Sequence, residues 1–456
     1  MLNFIKKLLD LEDDPNIIVT DFKVDGNHKI ISLEYRLCDV YCIDCGHKMR
    51  VKDVYTRKIK HSILQDNSHL ILEYKQRSWV CPVCKKRHTP HVKFVSRYKQ
   101  ISNVTTYLAV NKLSDLTLSV SAVADDFGIS DTSLHNFFLQ HVSMNRLPFP
   151  EIISIDEVFT NFRDDCKYSL VIMDFTTHDI IDFLPSRREE YTNSYFISIP
   201  IEERNNVKYI ISDMYEPYLN YMNRYFPNAE TSIDSFHVIS WLINRIQSYI
   251  RKLIRKYEND RKSDEYYLLK HKDWIILKND DHIIEIDNPK KMDKHFNCYM
   301  STDSYRRRFY AIDSNLKTIH DLKEKYISFN NENHTSEDAI EEKLDSLIDE
   351  YINSGIDIFI EFAKLLKDKK REIIHSFVMM PSLDKTVRLS NGAMESFNRK
   401  PKDLKRLARG IENFEFFKQR VLFSERSSKV ILAQPKTFKE IQNKTDKKRG
   451  KYKKHK

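Results

Sequence analysis

Between residues 150 and 240 the apolar residues arrive in short dense runs, not in helical stripes. "EIISIDEVFT" predicts a strand, "YSLVIMDFTTHDIIDFLPSR" a hairpin, "VKYIISDMYEPY" a strand running into a helix, and "AETSIDSFHVIS" a further strand. A stripe at helical spacing then begins, with Leu242, Ile246, Tyr249, Leu253 and Tyr257 on one face. Further on, "TSEDAIEEKLDSLIDEYINSG" predicts a capped amphipathic helix ended by Gly355, and "IDIFIEFAKLLKDKKREIIHSF" follows it. Nearer the N-terminus, "MRVKDVY" and "LILEYKQRSWV" alternate with the period of half-buried strands. "TLSVSAVADDFGISDTSLHNFFLQHV" reads as two helices around a turn at Gly128, with Ala124 as the small residue and Leu134 in the core. Ser130 or Asp131 is expected to cap the second helix.

Length changes the picture first. A chain of 456 residues exceeds one ordinary core, so several domains are expected. No apolar run approaches the ~20 residues of a membrane helix. The opening "MLNFIKKLLDLEDD" is amphipathic and lacks a small-residue cleavage site, so no export signal is expected and the seven cysteines should be reduced thiols or metal ligands. Seven glycines and no Gly-rich loop before a helix argue against a nucleotide-cradling fold.

The net charge of +9 is segregated. Residues 48–99 carry +11 and residues 436–456 carry +8, so the remainder is acidic on balance. Positive charge placed in this way is an electrostatic footprint for nucleic acid, although a solvated lysine tail explains 436–456 equally well. Residues 113–145, in contrast, contain no Lys or Arg and four aspartates. A helix-turn-helix there could do little to hold phosphates. Ser133 and Asn136 are its candidates for base contacts, while Arg57, Lys58 and Lys60 would follow the backbone. A helix pair that only packs or dimerises is the alternative.

"YCIDCGHK" and "WVCPVCKKRH" contain two Cys-x2-Cys pairs, Cys42/Cys45 and Cys81/Cys84. Each presents two thiolates from a tight turn, and two such knuckles complete a tetrahedral Zn²⁺ site with no open position, hence a structural one. Gly46 stands where a knuckle often needs a positive φ. His47, His88 and His91 could in principle replace a cysteine; Cys38, Cys166 and Cys298 are expected as core thiols.

Two carboxylates interrupt the strand runs. Asp156 follows Ile152-Ile153-Ser154-Ile155, and Asp213 ends Tyr209-Ile210-Ile211-Ser212. A carboxylate in a buried strand is costly unless it is paired or binds a metal. The order of strands and helices is that of a ribonuclease-H-like α/β sheet, whose first and fourth strands are neighbours, so Asp156 and Asp213 should lie side by side. Mg²⁺ relieves the repulsion of such a pair. Glu395 in "LSNGAMESFNRK", near a helix N-terminus, would complete a site for two ions ~4 Å apart. Asn398 shares its face, and the basic run containing Arg399, Lys402 and Arg406 can hold a DNA strand. Pro401 costs ~3 kcal/mol inside a helix, so the Glu395 helix is expected to kink or end near Lys400.

The cysteine pairs, the helix pair after them, "SIDEVF", "SDMYEPY", "DSFHV" and "LSNGAMESFNRKPKDLKR" together resemble a bacterial insertion-sequence transposase of the DDE type, of the ISL-three family. The resemblance implies a catalytic triad of Asp156, Asp213 and Glu395 using two Mg²⁺ ions, with Asp234 and His237 as an accessory motif. It implies a helical domain inserted before Glu395, which accounts for Glu395 lying 182 positions after Asp213. The expected organisation is a multidomain α/β chain: a zinc ribbon over 1–100, a helix-turn-helix over 101–147, the ribonuclease-H-like core over 148–240 and 386–430, a helical insertion over 241–385, and a basic tail over 431–456. In the insertion, Trp274 is either a core residue or a platform for an unpaired base. The expected partners are double-stranded DNA, as terminal inverted repeats and target, and further copies of the chain in a homodimer or higher assembly. The expected place is the cytoplasm, on the nucleoid. A non-catalytic zinc-ribbon DNA-binding regulator derived from such an enzyme is the alternative.

Overall fold

The computed structural model describes residues 15–63, 68–214, 222–281, 291–407, 411–437 and 440–441. The amphipathic opening, residues 215–218 of "SDMYEPY", 408–409 of the basic run and residues 438–439 and 442–456 of the basic tail lie outside the described residues. The described chain forms two compact units. One contains the chain up to Arg146, then Thr160–Asp164 and the residues from Arg399 on; the other contains Leu147–Phe159 and Asp165–Asn398.

The first unit begins with β1 (Ile17–Asp25), β2 (His28–Tyr35), β3 (Arg50–Ile63), β4 (His69–Val80) and β5 (Arg87–His88). The sheet order is β1-β2-β4-β3, with β5 on β4; β2 and β4 run parallel and β3 and β4 antiparallel. The predicted alternation is visible in β4, where Leu70, Leu72 and Tyr74 enter a core with Ile31, Leu33 and Ile59. Three helices follow, α1 (Asn103–Lys112), α2 (Val120–Asp126) and α3 (Asp131–His141). Ser102, Ser119 and Ser130 cap them, each accepting from the backbone N–H three residues on. Gly128 has a φ of +60° between α2 and α3, and Ala124 and Leu134 are buried as expected.

In the second unit the strands are β6 (Ile152–Phe159), β7 (Tyr168–Asp174) and β8 (Ile180–Leu184). Helices α4 (Glu189–Ile197) and α5 (Ile201–Asn205) precede β9 (Tyr209–Ser212) and β10 (Glu230–Ile233). The sheet order is β10-β9-β6-β7-β8. Helix α6 (Ser235–Lys256) starts immediately after β10, so "DSFHVIS" is a helix start and not part of a strand. The reason is Asp234, whose carboxylate accepts from the Phe236 N–H and caps α6.

Beyond α6 come α7 (Asp264–His271), α8 (Trp274–Leu277), the short pair β11 (Lys291–Asp293) and β12 (Cys298–Met300), α9 (Thr302–Tyr310), α10 (Asn315–Asn331), α11 (Glu337–Asn353), α12 (Asp357–Asp368) and α13 (Lys370–His375). The apolar faces of α6 to α13 share one core. Ser336 caps α11, and Gly355 ends it at a φ of +70°. Trp274 packs half-buried against that core. A hairpin of β13 (Met379–Ser382) and β14 (Lys385–Arg388) then leads to α14 (Gly392–Leu407) and α15 (Phe414–Glu425).

Two further expectations need correction. Helix α14 does not end near Lys400 but continues through Pro401. Burial of Phe397, Pro401 and Leu404 and an ion pair from Lys400 to Glu425 offset the lost backbone bond. Helix α15 packs within the first unit. Phe416 stacks on His135 of α3 at 4.2 Å, and the fully buried Arg420 donates to the carbonyls of Leu113, Asp115 and Leu118. Second, Cys38 and Cys166 are half-buried, not core thiols, and Cys166 donates to the Tyr168 carbonyl, while Cys298 packs half-buried against the helical core. Among the described residues no helix is long and apolar enough to cross a membrane.

Candidate active site

Strands β6 and β9 are parallel neighbours in the register Ile152↔Tyr209, Ile153↔Ile210 and Ser154↔Ile211. Carried two residues further, that register sets Asp156 opposite Asp213. Both carboxylates emerge where the sheet stops being fully buried. Asp156 accepts from the Glu157 N–H at 2.7 Å and from the Asn398 side-chain amide at 2.7 Å. Burial pushes its carboxyl up to about 6, and the nearby Asp213 charge adds to the shift; the Glu157 N–H and His237 oppose it. A carboxylate held so close to another anion while losing water favours either a proton or a cation.

Two helix starts complete the site. His237 lies in the first turn of α6, and Glu395 in the first turn of α14. Ligand atoms of Asp234, His237 and Glu395 all lie within 4.8 Å of one another. Asp234 is shared out already: one oxygen caps α6 and the other accepts from the Asn391 N–H at 2.9 Å. Asn391 in turn donates through its side chain to the Ile155 carbonyl at 3.4 Å, and its own carbonyl accepts from the Glu395 N–H at 2.8 Å. This fully buried asparagine ties β6, the α6 cap and the start of α14 together. The sequence reading passed over it, although Asn391-Gly392 before a helix was its signal. Also missed was Glu157, which pairs with Arg187 beside Asp156.

Asp156, Asp213, Asp234, His237, Glu395 and Asn398 are therefore gathered at one end of the sheet. Arg399, Lys402 and Arg406 are exposed, and Arg406 pairs with Asp403 at 3.2 Å.

Residues 153–421 match the family model described as a transposase, of the DDE type and ISL-three family. This span covers more than half of the chain and includes every one of those six residues. The chain belongs to the ISL-three family of DDE transposases. A comparison with individually curated proteins finds no match.

Two observations test whether this transposase site suits a divalent cation. The buried His237 Nε2 and Asn398 Oδ1 have no hydrogen-bond partner among the described residues. The donor set of carboxylates with one imidazole suits a hard or borderline ion. The residues fit.

The transposase also carries a four-cysteine cluster. Cys42 and Cys45 precede β3 and Cys81 and Cys84 follow β4, so the cluster closes the open end of this long hairpin. The sulfurs are 3.4 Å apart for Cys42–Cys84 and for Cys45–Cys81, and 3.6 Å for Cys45–Cys84. A tetrahedron of Zn–S bonds requires ~3.8 Å, so the residues fit zinc closely. The knuckles are matched: the Gly46 N–H donates to the Cys42 carbonyl and the Lys85 N–H to the Cys81 carbonyl, with φ of +69° and +61°. His47, His88 and His91 are not part of the cluster.

The proposed DNA contacts in this unit differ in what already holds them. Arg57 donates to Gln76 and to the Ser96 and Lys99 carbonyls; Lys58 lies near Glu73; Lys60 donates to the Gly128 carbonyl at the turn before α3. Ser133 and Asn136 are half-buried on α3, and the Ser133 hydroxyl meets that of Ser130.

Proposed function

We propose that the chain is a Mg²⁺-dependent transposase that binds the terminal inverted repeats of its element, hydrolyses a phosphodiester at each end and joins the freed 3′-hydroxyls to target DNA. The observation that carries this reading is the placing of Asp156 opposite Asp213 on neighbouring parallel strands, with Glu395 and His237 delivered to the same end by two helix starts. The strand order supports a ribonuclease-H-like core, because β7 alone runs against its neighbours.

Asp156, Asp213 and Glu395 would hold the ions, which supply Lewis-acid activation of the attacking oxygen and charge neutralisation on the leaving one. Asn398 orients Asp156 through its amide, and Asn391 sets the angle at which α14 presents Glu395. His237 is positioned to donate to a phosphate oxygen or to ligate. In the first step a water oxygen bonds to phosphorus, the P–O3′ bond breaks and the 3′-oxygen takes up a proton. In the second, that 3′-hydroxyl bonds to a target phosphorus and displaces a target 3′-oxygen. One phosphodiester is exchanged for another, so joining needs no external energy source.

The zinc-closed sheet and the α2–α3 pair would hold the ends, with Lys58 on the backbone and Ser133 and Asn136 toward bases, in a dimer or higher assembly. The test is incubation of the full chain with DNA carrying both element ends and a target plasmid. The reading predicts cleaved 3′ ends and joined product with Mg²⁺, and neither without it. End-binding with no cleavage under any divalent cation would point to the non-catalytic regulator instead.

A further inference from the structure

The first unit contains a cleft of about 440 Å³ between the β3–β4 face and the segment 87–100. Arg57, Arg87, Arg97 and Lys99 line it, and among the described residues no carboxylate does. Its two tyrosines are unusual. Tyr55 is 47% exposed and Tyr98 is 84% exposed, although burying an aromatic ring is worth a great deal. Tyr98 also has a φ of +64°, a conformation that a bulky side chain adopts at a cost. Arg97 lies over the Tyr98 ring at 5.0 Å, a cation–π contact between two residues that line the cleft. Arg57 is fixed by Gln76 at 3.2 Å and the Ser96 carbonyl at 3.4 Å, so its charge is positioned in advance.

We propose that this cleft takes an unpaired nucleotide of a DNA strand, its base stacked on Tyr98 and its phosphates among Arg87, Arg97 and Lys99. A duplex presents a convex, continuous backbone and needs an element that enters a groove. A concave site with exposed rings and unopposed cations suits a single strand, whose bases offer π-faces. The cleft would thus engage distorted or frayed DNA at a transposon end. The inference rests on the proposed function in that DNA is the ligand, but it concerns a place remote in sequence from the acidic residues.

The test uses the full chain and two fluorescent DNAs of the same sequence. One is blunt and the other has three unpaired nucleotides, one of them 2-aminopurine. Wild type should bind the unpaired form roughly 5- to 100-fold more tightly, and the 2-aminopurine emission should be quenched by stacking. Tyr98→Gly leaves the backbone conformation unstrained, so the unit should fold; it should abolish both the preference and the quenching while leaving blunt-duplex affinity unchanged. Tyr98→Phe should retain both. Equal affinity for the two DNAs, or quenching that survives Tyr98→Gly, overturns the inference while leaving the transposase reading standing. Binding to neither DNA overturns both.

Discussion

The side-chain amide of Asn398 donates to Asp156 at 2.7 Å, joining residues 242 positions apart in the chain. Through this bond the start of α14 steadies a carboxylate that lies within strand β6. Asn398 lies one turn beyond Glu395, so α14 serves the site at two levels.

Replacing Asn398 tests that link. Asn398→Ala removes a hydrogen bond to a charged group, worth ~1.5–3 kcal/mol, so cleavage should fall roughly 10- to 100-fold. The acid limb of the pH–rate profile should move upward, because Asp156 loses a donor that favours its ionised form. Asn398→Asp sets an anion against Asp156 and should be worse on both counts. An unchanged acid limb in both variants would show that the bond is only structural.

The site was legible in the sequence to different depths. Asp156 and Asp213 each break an apolar run, and a buried strand leaves few reasons to do so. Glu395 and Asn398 share a helical face by spacing alone. Asn391 was not legible, because its role consists of bonds to Ile155, Asp234 and Glu395 that only the folded chain brings together. The β13–β14 hairpin was hidden as well, since its turn places Leu383, not glycine, at a φ of +52°. Nor did periodicity reveal the partner of α15, because an amphipathic face tells that a helix packs and not against what. Pro401 shows local propensity yielding to burial.

The pH dependence of stability follows from Asp156. Its carboxyl is raised to about 6 when folded, against ~3.9 in an unfolded chain. Between these values the folded state binds the extra proton, so the metal-free protein should lose stability as pH rises from about 4 through about 6. The loss is on the order of 2–3 kcal/mol. Asp156→Asn should be more stable than wild type at neutral pH without Mg²⁺ and should lack this component. Added Mg²⁺ should stabilise wild type more at neutral than at acid pH, and the variant much less. Urea titrations of both proteins across pH check the sign; parallel curves would refute it.

The zinc knuckles make a prediction about backbone strain. Substituting any one of Cys42, Cys45, Cys81 and Cys84 by Ser should abolish zinc binding at this cluster and unfold the surrounding sheet. Lys85 adopts the left-handed conformation that Gly46 adopts in the other knuckle. Lys85→Gly should therefore stabilise the zinc-loaded unit by ~1 kcal/mol, and Gly46→Ala should destabilise it by a similar amount. At Gly46 nothing lies within 4 Å of an added Cβ, so the effect is conformational and not steric. Elemental analysis and thermal unfolding of the variants measure both. Zinc retained by a Cys42/Cys81 double serine variant would exclude the site.

The most direct test of the three carboxylates is single-turnover cleavage of DNA carrying an element end, measured with Mg²⁺ for wild type and for Asp156→Asn, Asp213→Asn and Glu395→Gln. Each variant should bind the end with nearly wild-type affinity and cleave it at least ~10³-fold more slowly, since a missing ligand removes transition-state charge stabilisation of several kcal/mol. Near-normal cleavage by Glu395→Gln would contradict the assignment of these three carboxylates as the reaction centre.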